Sequence, residues 1–588
     1  MNISINSDEV SHQEFKDGNE RVDYQLSLGK TNGICFAVTV FNETPNEFAL
    51  SLSALVDNID KLASVGLDNS SMRFTIVVIC DGKEFIHPGT LALFAKFGFL
   101  IDADQVSVTR SILKEFSTDV IRGILGESQP SLIPSNGSIL NQWSADNFTD
   151  AQCQPVEFLL VVKEKNLGKL NSHWHFYNVI CVALKPDYCV QIDVGTVPRI
   201  DALSVAIGVL QNDLNCAAVS PFIMANSGIV RSKLLELWQL GGFAKAGYFD
   251  WKLESFSGYL SVIPGQFSVI RWSSIYFDTN GANNGKSPLD TYFEGLRVSS
   301  PFESNLYLAE DRVLCSGIFL KSNESWRIRY DSKCVAITDT CKSWEELFRQ
   351  RRRWNLGFLA ARLNFLSQLW DRIKSRTNGG RMKNDVAVFL YHSIQFLLDW
   401  LTPSFIVSIY IFMRYVNIDL LGDFYILKIA SELIFAGIVL TTMACFFLSL
   451  SSGLSYKYLS CFKASIALQI AYIVLSGALI SVYLVPNFVT AAVGLAVFFL
   501  IFKIGFKRIF EASLYFLIRA PISLHVWMYA ITNCHDSSWG TKGLHQSAIS
   551  GSCNSKKGFS KYRRNVLMTW LATNILTILA AVIMFQNI

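Results

Sequence analysis

The chain has 588 residues, a formal net charge of +4 and 51% hydrophobic residues, with a mean hydropathy of +0.30. That is too apolar for an ordinary soluble enzyme, and no basic, aromatic-interleaved stretch argues for a nucleic-acid partner. Thirteen cysteines lie scattered without a C-x-x-C pair or a Cys/His cluster, which excludes a structural zinc and a disulfide framework as readings of the sequence.

The apolar residues are unevenly placed. Before Arg381 charges, turns and short apolar runs alternate as in a globular domain, and after Asp385 long apolar segments take over. The pattern predicts a polytopic membrane protein with a large soluble domain. Met1 to Glu20 is polar and acidic, without the basic start and apolar core of a signal peptide, so the soluble part is expected to stay cytosolic and residues 1–30 to form a flexible segment.

In chain order, Ile34 to Val40 is a β-rich apolar run followed by a helical pattern from Glu47 to Leu62, and Phe74 to Cys80 is a second buried-strand run ending in Asp81-Gly82-Lys83. Strand, helix, strand begins an open parallel sheet, whose ligands bind at the carboxyl ends of the strands. Glu43 and Asp81 are thereby placed to meet a nucleotide, although each read alone is equally a solvated loop carboxylate. Gln105 to Asp150 reads as a polar insertion. Phe158 to Val162 is a third strand, emptying into Lys163-Glu164-Lys165-Asn166 and Lys169 to His173, a basic run that suits an anionic phosphate or a solvated turn. Tyr188 to Ile192 is the fourth strand. Asp193 at its end, beside Gly195, suits a hard divalent cation bridging two phosphates. Gly258 to Ser268 reads as a strand with a tight Pro264-Gly265 turn, and Glu310-Asp311-Arg312 opens a helix with paired carboxylates, one of which can take a proton.

Ser343 followed by Glu346 is a capping-box pattern, so a helix is expected from Trp344. On it Gln350, Arg353, Trp354 and Gly357 share one face. An amide, a guanidinium and an indole beside a glycine gap suit a diphosphate and a sugar ring; a basic helix lying on a membrane surface is the alternative.

Apolar runs long enough to span a bilayer cover Lys383–Tyr415, Tyr425–Leu450, Ala464–Val485, Phe488–Phe502 and Val566–Phe585. Ile509–Thr532 carries Arg519, Pro521 and His525, and keeping the basic clusters on inside loops favours reading it as interfacial, with five spans in all. The expected organisation is a flexible segment (1–30), a cytosolic domain (31–342), interfacial helices (343–384) and a transmembrane domain (385–588) with an interfacial helix and a cytosolic loop near 509–565.

Asp81-Gly82, Asp193-Val194-Gly195, Glu310-Asp311-Arg312 and Gln350 to Trp354, in that order ahead of membrane helices, resemble the processive inverting glycosyltransferases of family 2. Asn171-Ser172-His173, Ile263-Pro264-Gly265, Asn533-Cys534-His535-Asp536 and Ser538-Trp539-Gly540-Thr541-Lys542-Gly543 narrow the likeness to chitin synthases, from about Ile34 to Gly543. The resemblance implies an α/β, GT-A-like (Rossmann-like open sheet) catalytic domain followed by α-helical membrane spans in the plasma membrane, with UDP-N-acetylglucosamine, a growing chitin chain and the lipid bilayer as partners and homo-oligomerisation left open. It further implies that Glu43, Asp81, Lys165, Gln350 and Arg353 bind the donor, Asp193 holds Mg²⁺ or Mn²⁺, Asp311 is the general base, and Trp354 and Glu310 meet the acceptor. Where relatives usually show Arg-Trp after the histidine this chain has Trp174-His175, and Gln266 follows Pro-Gly in place of the usual Ala. A hyaluronan- or cellulose-type synthase and a nucleotide-sugar-binding transporter are the rival readings.

Overall fold

The computed structural model describes residues 10–17, 20–27, 33–65, 72–101, 109–128, 153–226, 232–277, 287–298, 300–321, 326–375, 381–452, 454–484, 506–536, 538 and 556–586. Its amino-terminal half is built on one mixed open sheet of eleven strands. These are β1 (Val10–Asp17), β2 (Glu20–Ser27), β3 (Gly33–Val40), β4 (Arg73–Cys80), β5 (Thr109–Ser117), β6 (Pro155–Val162), β7 (Tyr188–Asp193), β8 (Val197–Pro198), β9 (Cys216–Asn226), β10 (Phe267–Arg271) and β11 (Arg327–Asp339). Their order across the sheet is β1-β2-β5-β6-β4-β3-β7-β10-β9-β11-β8.

The centre is parallel: β3 pairs with β4 and β7, and β4 with β6. These strands read as unbroken apolar runs because both faces are covered, Val38 and Ile76 facing one core and Ala37 and Val77 the other. The chain winds outward from β3 through β4 to β6, then crosses back to lay β7 on the opposite side of β3. That reversal opens a crevice at the carboxyl ends of β3 and β7, where Glu43 and Asp193 stand. The helix after β3 runs Pro45–Ser64, and Thr44 closes a capping box with Glu47.

Two sequence expectations change in this half. The amino-terminal segment read as flexible contributes β1 and β2, an antiparallel pair docked on β5. The stretch read as a polar insertion contributes β5 and the helix Thr118–Ser128. Both were hidden because these strands carry charged and polar residues, as in Glu20–Ser27 and Thr109–Ser117, and show no unbroken apolar run.

The helix Trp344–Ser375 joins the halves. Ser343 Oγ accepts from Glu346 N at 3.2 Å, as the capping pattern predicts. Beyond it, Tyr425–Ser451, Tyr456–Ser481, Leu514–Thr532 and Gly558–Gln586 are long and apolar enough to cross a membrane, and Lys383–Trp400 with Thr402–Leu420 makes a fifth as a pair bent by 58°. The run expected to be one continuous span is thus two helices, with Pro403 in the first turn of the second. The segment expected to lie in the interface meets the same length and apolarity test, and 67% of its apolar window is buried inside the protein. His525 and Thr532 are buried: His525 Nδ1 sits 2.8 Å from the Pro521 carbonyl, and Thr532 Oγ1 meets Ser449 Oγ at 2.5 Å. The Phe488–Phe502 run lies outside the described residues.

Candidate active site

Three carboxylates meet at the carboxyl end of β7. Asp193 ends that strand, and Glu310 and Asp311 open the helix Glu310–Lys321. Between them sits Lys169, on the helix after β6, its Nζ 2.9 Å from Asp193 Oδ1, 3.2 Å from Oδ2 and 3.6 Å from Glu310 Oε1. Burial disfavours charge on this lysine, but Asp193, Glu310 and Asp311 outweigh it and raise its affinity for the proton. Lys169 is the residue that sequence reasoning placed in a general basic run and did not assign. Its role rests on contacts 24 and 141 positions away in the chain, which no local pattern carries.

Asp311 is held on one side only. Its Oδ2 accepts the Gly265 N–H at 2.9 Å, whereas Oδ1 is buried with no hydrogen-bond partner among the described residues. Gly265 is required here by close approach, since a Cβ would stand 2.7 Å from Lys169 Nζ and 3.1 Å from both Asp311 oxygens. Burial raises Asp311 above the usual carboxylate range; Lys169 lowers it and Asp193 raises it again. Glu310, only 4% exposed, is pushed up to about 7 by burial and by Asp311, against Lys169 and Arg353. The two carboxylates therefore share their charge and titrate as a pair.

The helix Trp344–Ser375 reaches this cluster through Gly357, where a Cβ would stand 2.7 Å from Ala309 Cβ, immediately before Glu310. The close approach brings Arg353 within electrostatic reach of Glu310 and Asp193, which resist the loss of its charge by burial. Gln350 lies one turn earlier, half-buried. Trp354 packs edge-to-face on Phe243 with centroids 6.2 Å apart, and the Arg351 guanidinium lies 4.2 Å over its ring. The neighbouring Arg352, overlooked in the sequence, is 1% exposed. It binds the Asp536 carboxylate, the Asp536 carbonyl at 2.7 Å and the Ser538 carbonyl. Arg352 thus ties Asp536 and Ser538 to this helix; Trp539, Gly540, Thr541, Lys542 and Gly543 lie outside the described residues.

The donor-side expectations divide. Glu43 is buried beside β3, its Oε2 accepting from Phe41 N at 2.6 Å. Asp81 closes β4, but its Oδ1 accepts from Lys163 Nζ at 2.7 Å and Leu167 N at 3.1 Å. Lys163 is fully buried in that pair, and Lys165 is exposed. Of the basic run after β6, then, one lysine fixes Asp81, one is solvated and one, Lys169, enters the carboxylate cluster. Ser172 and His173 are core residues: Ser172 Oγ lies 3.3 Å from Lys163 Nζ, and His173 Nδ1 2.5 Å from the Tyr292 hydroxyl. Gln266, the departure after Pro-Gly, contributes its carbonyl to Asp193 N at 3.1 Å, a backbone contact that its side chain does not alter.

For a divalent cation the described residues offer Asp193, but no three His, Cys, Asp or Glu side chains are placed to hold one together. A single carboxylate fits Mg²⁺ or Mn²⁺ held mainly by substrate phosphate oxygens, and does not fit a cation caged by protein alone.

The model of a chitin synthase-like glycosyltransferase domain matches residues 34–369, more than half of the chain. Among curated proteins the chain is 27% identical to chitin synthase 3 of Verticillium dahliae, over 89% of this chain and 62% of that protein. It is 26% identical to chitin synthase A of Ampelomyces quisqualis, over 86% and 58%, and 27% identical to chitin synthase 1 of Fusarium oxysporum, over 94% and 65%. The chain thus spans about three-fifths of the length of these relatives. With the matched segment running from β3 through the carboxylate cluster to the Gln350–Trp354 helix, the chain belongs to the chitin synthase-like glycosyltransferase family.

Proposed function

We propose that the protein is a processive, inverting synthase that transfers N-acetylglucosamine from UDP-N-acetylglucosamine to the non-reducing end of a growing β-1,4 chitin chain through a GT-A-type domain. The observation that carries this reading is Asp311, anchored through one oxygen by Gly265 N–H with the other unpartnered among the described residues. A base needs one oriented, unoccupied lone pair, and Oδ1 supplies it. As the acceptor oxygen bonds to the anomeric carbon, its proton passes to Oδ1 while the bond from that carbon to the diphosphate breaks and UDP departs with the electron pair, inverting the centre.

Lys169 and Arg353 lie beside Asp193, where charge on a departing diphosphate would collect, and Asp193 would be the protein group to hold Mg²⁺ or Mn²⁺. A bound cation supplies Lewis-acid neutralisation of the phosphates. Lys169 pairs with both Asp193 and Glu310 and would keep the Glu310 contact if Asp193 held the cation. Glu43 and Asp81 border the nucleotide side and Trp354 the acceptor side. The candidate membrane spans packed against the same helix support export of the polymer as it grows, since a polysaccharide cannot cross lipid unaided. Detergent-purified full chain should release UDP from UDP-N-acetylglucosamine and make a chitinase-sensitive polymer. A polymer made only from UDP-glucuronate or UDP-glucose, or binding without UDP release, overturns the reading.

A further inference from the structure

Arg312, next to Asp311 in the chain, opens a buried polar network that none of the steps above uses. Its Nη1 donates to Ser261 Oγ at 2.9 Å and to the Ser261 carbonyl at 3.3 Å. Ser261 in turn donates twice to one oxygen of Glu254, from its N–H at 3.0 Å and its hydroxyl at 2.7 Å. Glu254 stands on the short helix Trp251–Ser257 and is 6% exposed. Its other oxygen faces Arg362 Nη2 at 3.5 Å, and Arg362 is held to Asp399 at 2.6 Å. Four residues beyond Ser261, Gly265 gives its N–H to Asp311.

One short segment, Ser261 to Gly265, therefore grips the Glu310-Asp311-Arg312 turn at both ends, Ser261 on Arg312 and Gly265 on Asp311. We infer that Glu254 is a positioning residue for the transfer step, anchoring this segment so that Gly265 N–H holds Asp311 with Oδ1 aimed at the acceptor. The inference rests on reading Asp311 as the base.

The chemistry requires an ionised carboxylate at this position. Two donors on one oxygen make charge-assisted bonds, shorter and stronger than an amide would form. Arg362 is buried and Arg312 partly buried at this point, and both need a counter-charge. Burial works against ionisation of Glu254, but His392, Arg362, the Ser261 hydrogen bond and Arg312 outweigh it and hold the carboxyl below its ordinary range. A counter-charge serving stability alone would not need to place both donors of a single serine on the segment that carries Gly265.

The test uses the full chain in detergent, with turnover, KM, calorimetric Kd for UDP-N-acetylglucosamine and melting temperature measured together. Glu254→Gln keeps the shape and removes the charge. Because small misplacements of a reacting group are costly, kcat should fall ~10–100-fold with KM and donor Kd within about twofold of the parent. Ser261→Ala removes the hydroxyl bonds to Glu254 and Arg312 and leaves the backbone N–H on Glu254 and the carbonyl to Arg312, and should lower kcat roughly tenfold with the same unchanged donor affinity. A parental kcat in Ser261→Ala and Glu254→Gln, or a loss that falls on KM and donor Kd, overturns the inference; Ser261→Ala decides alone if Glu254→Gln does not fold. Asp311→Asn runs beside them. Parental turnover there sinks the base reading itself, while an inactive Asp311→Asn beside fully active Glu254→Gln sinks only the positioning role.

Discussion

Replacing Asp311 by Asn tests the centre of the mechanism with the least disturbance. The amide fills the same volume and keeps one oxygen to accept the Gly265 N–H, a bond of 2.9 Å in the parent. What it loses is the lone pair at Oδ1, which has no other partner among the described residues. Positioned base catalysis contributes ~10²–10⁴-fold, and at about 1.36 kcal/mol per factor of ten this is roughly 2.7–5.4 kcal/mol of barrier. The donor should behave differently. Asp311 adds negative charge beside Asp193 and Glu310, so its removal eases repulsion toward a diphosphate, and donor affinity should hold or tighten. Steady-state UDP release and calorimetric binding of UDP-N-acetylglucosamine read the two effects separately. Turnover within about tenfold of the parent would refute the assignment of Asp311, and a matching loss of donor affinity would show that the residue binds and does not catalyse.

The remaining predictions concern its neighbours. Glu310 binds its proton more tightly when folded, up to about 7, so between its unfolded value near 4.5 and about 7 the folded form keeps a proton the unfolded chain has lost; stability from this group is present at low pH and falls as pH rises through that window. Glu310→Gln should accordingly raise the melting temperature over the parent at pH 8 but not at pH 4.5, and an equal shift at both would show that the raised affinity is absent. Asp193→Ala, or EDTA on the parent, should abolish cation-dependent donor binding; full activity in EDTA would remove the metal from the reaction. Trp354→Ala should lose polymer extension with donor affinity intact, whereas Arg353→Ala should weaken donor and UDP binding. If both bind and polymerise as the parent, the helix is an anchor.

What the sequence disclosed and what it hid follow from how each feature is encoded. The parallel centre was readable because strands buried on both faces, such as Phe74 to Cys80, are unbroken apolar runs. The helix start at Trp344 was readable because Ser343 and Glu346 act locally. Strands β1, β2 and β5 went unrecognised because their sequences alternate charged and polar residues with few apolar ones. Asp193, Asp311 and Arg353 were recognised by motif, and the fold brings them together. Lys169, Arg352 and Glu254 were not, because each acquires meaning only from a contact made by folding: Lys169 with Asp193, Arg352 with Asp536, Glu254 with Ser261. In the membrane half, Leu514–Thr532 is long and apolar enough to span yet carries Arg519 and His525, so hydropathy and charge placement alone do not separate a span from a surface helix.

The helix Trp344–Ser375 has 32 residues, a rod roughly 48 Å long at 1.5 Å per residue. Along it hang the Asp536 turn at Arg352, Ala309 at Gly357, Asp399 at Arg362 and Asp385 at Arg372, the last two on the first member of the bent helix pair. Those attachments make it a lever with the carboxylate cluster at one station and the candidate membrane helices at others. A tilt of one degree about one end carries the other by roughly 0.8 Å on that length, comparable to the tolerance of a reacting pair. A displacement of Lys383–Trp400 would therefore travel through Arg362 and Arg372 to the Gly357–Ala309 contact, beside Glu310 and Asp311, as a change in their alignment.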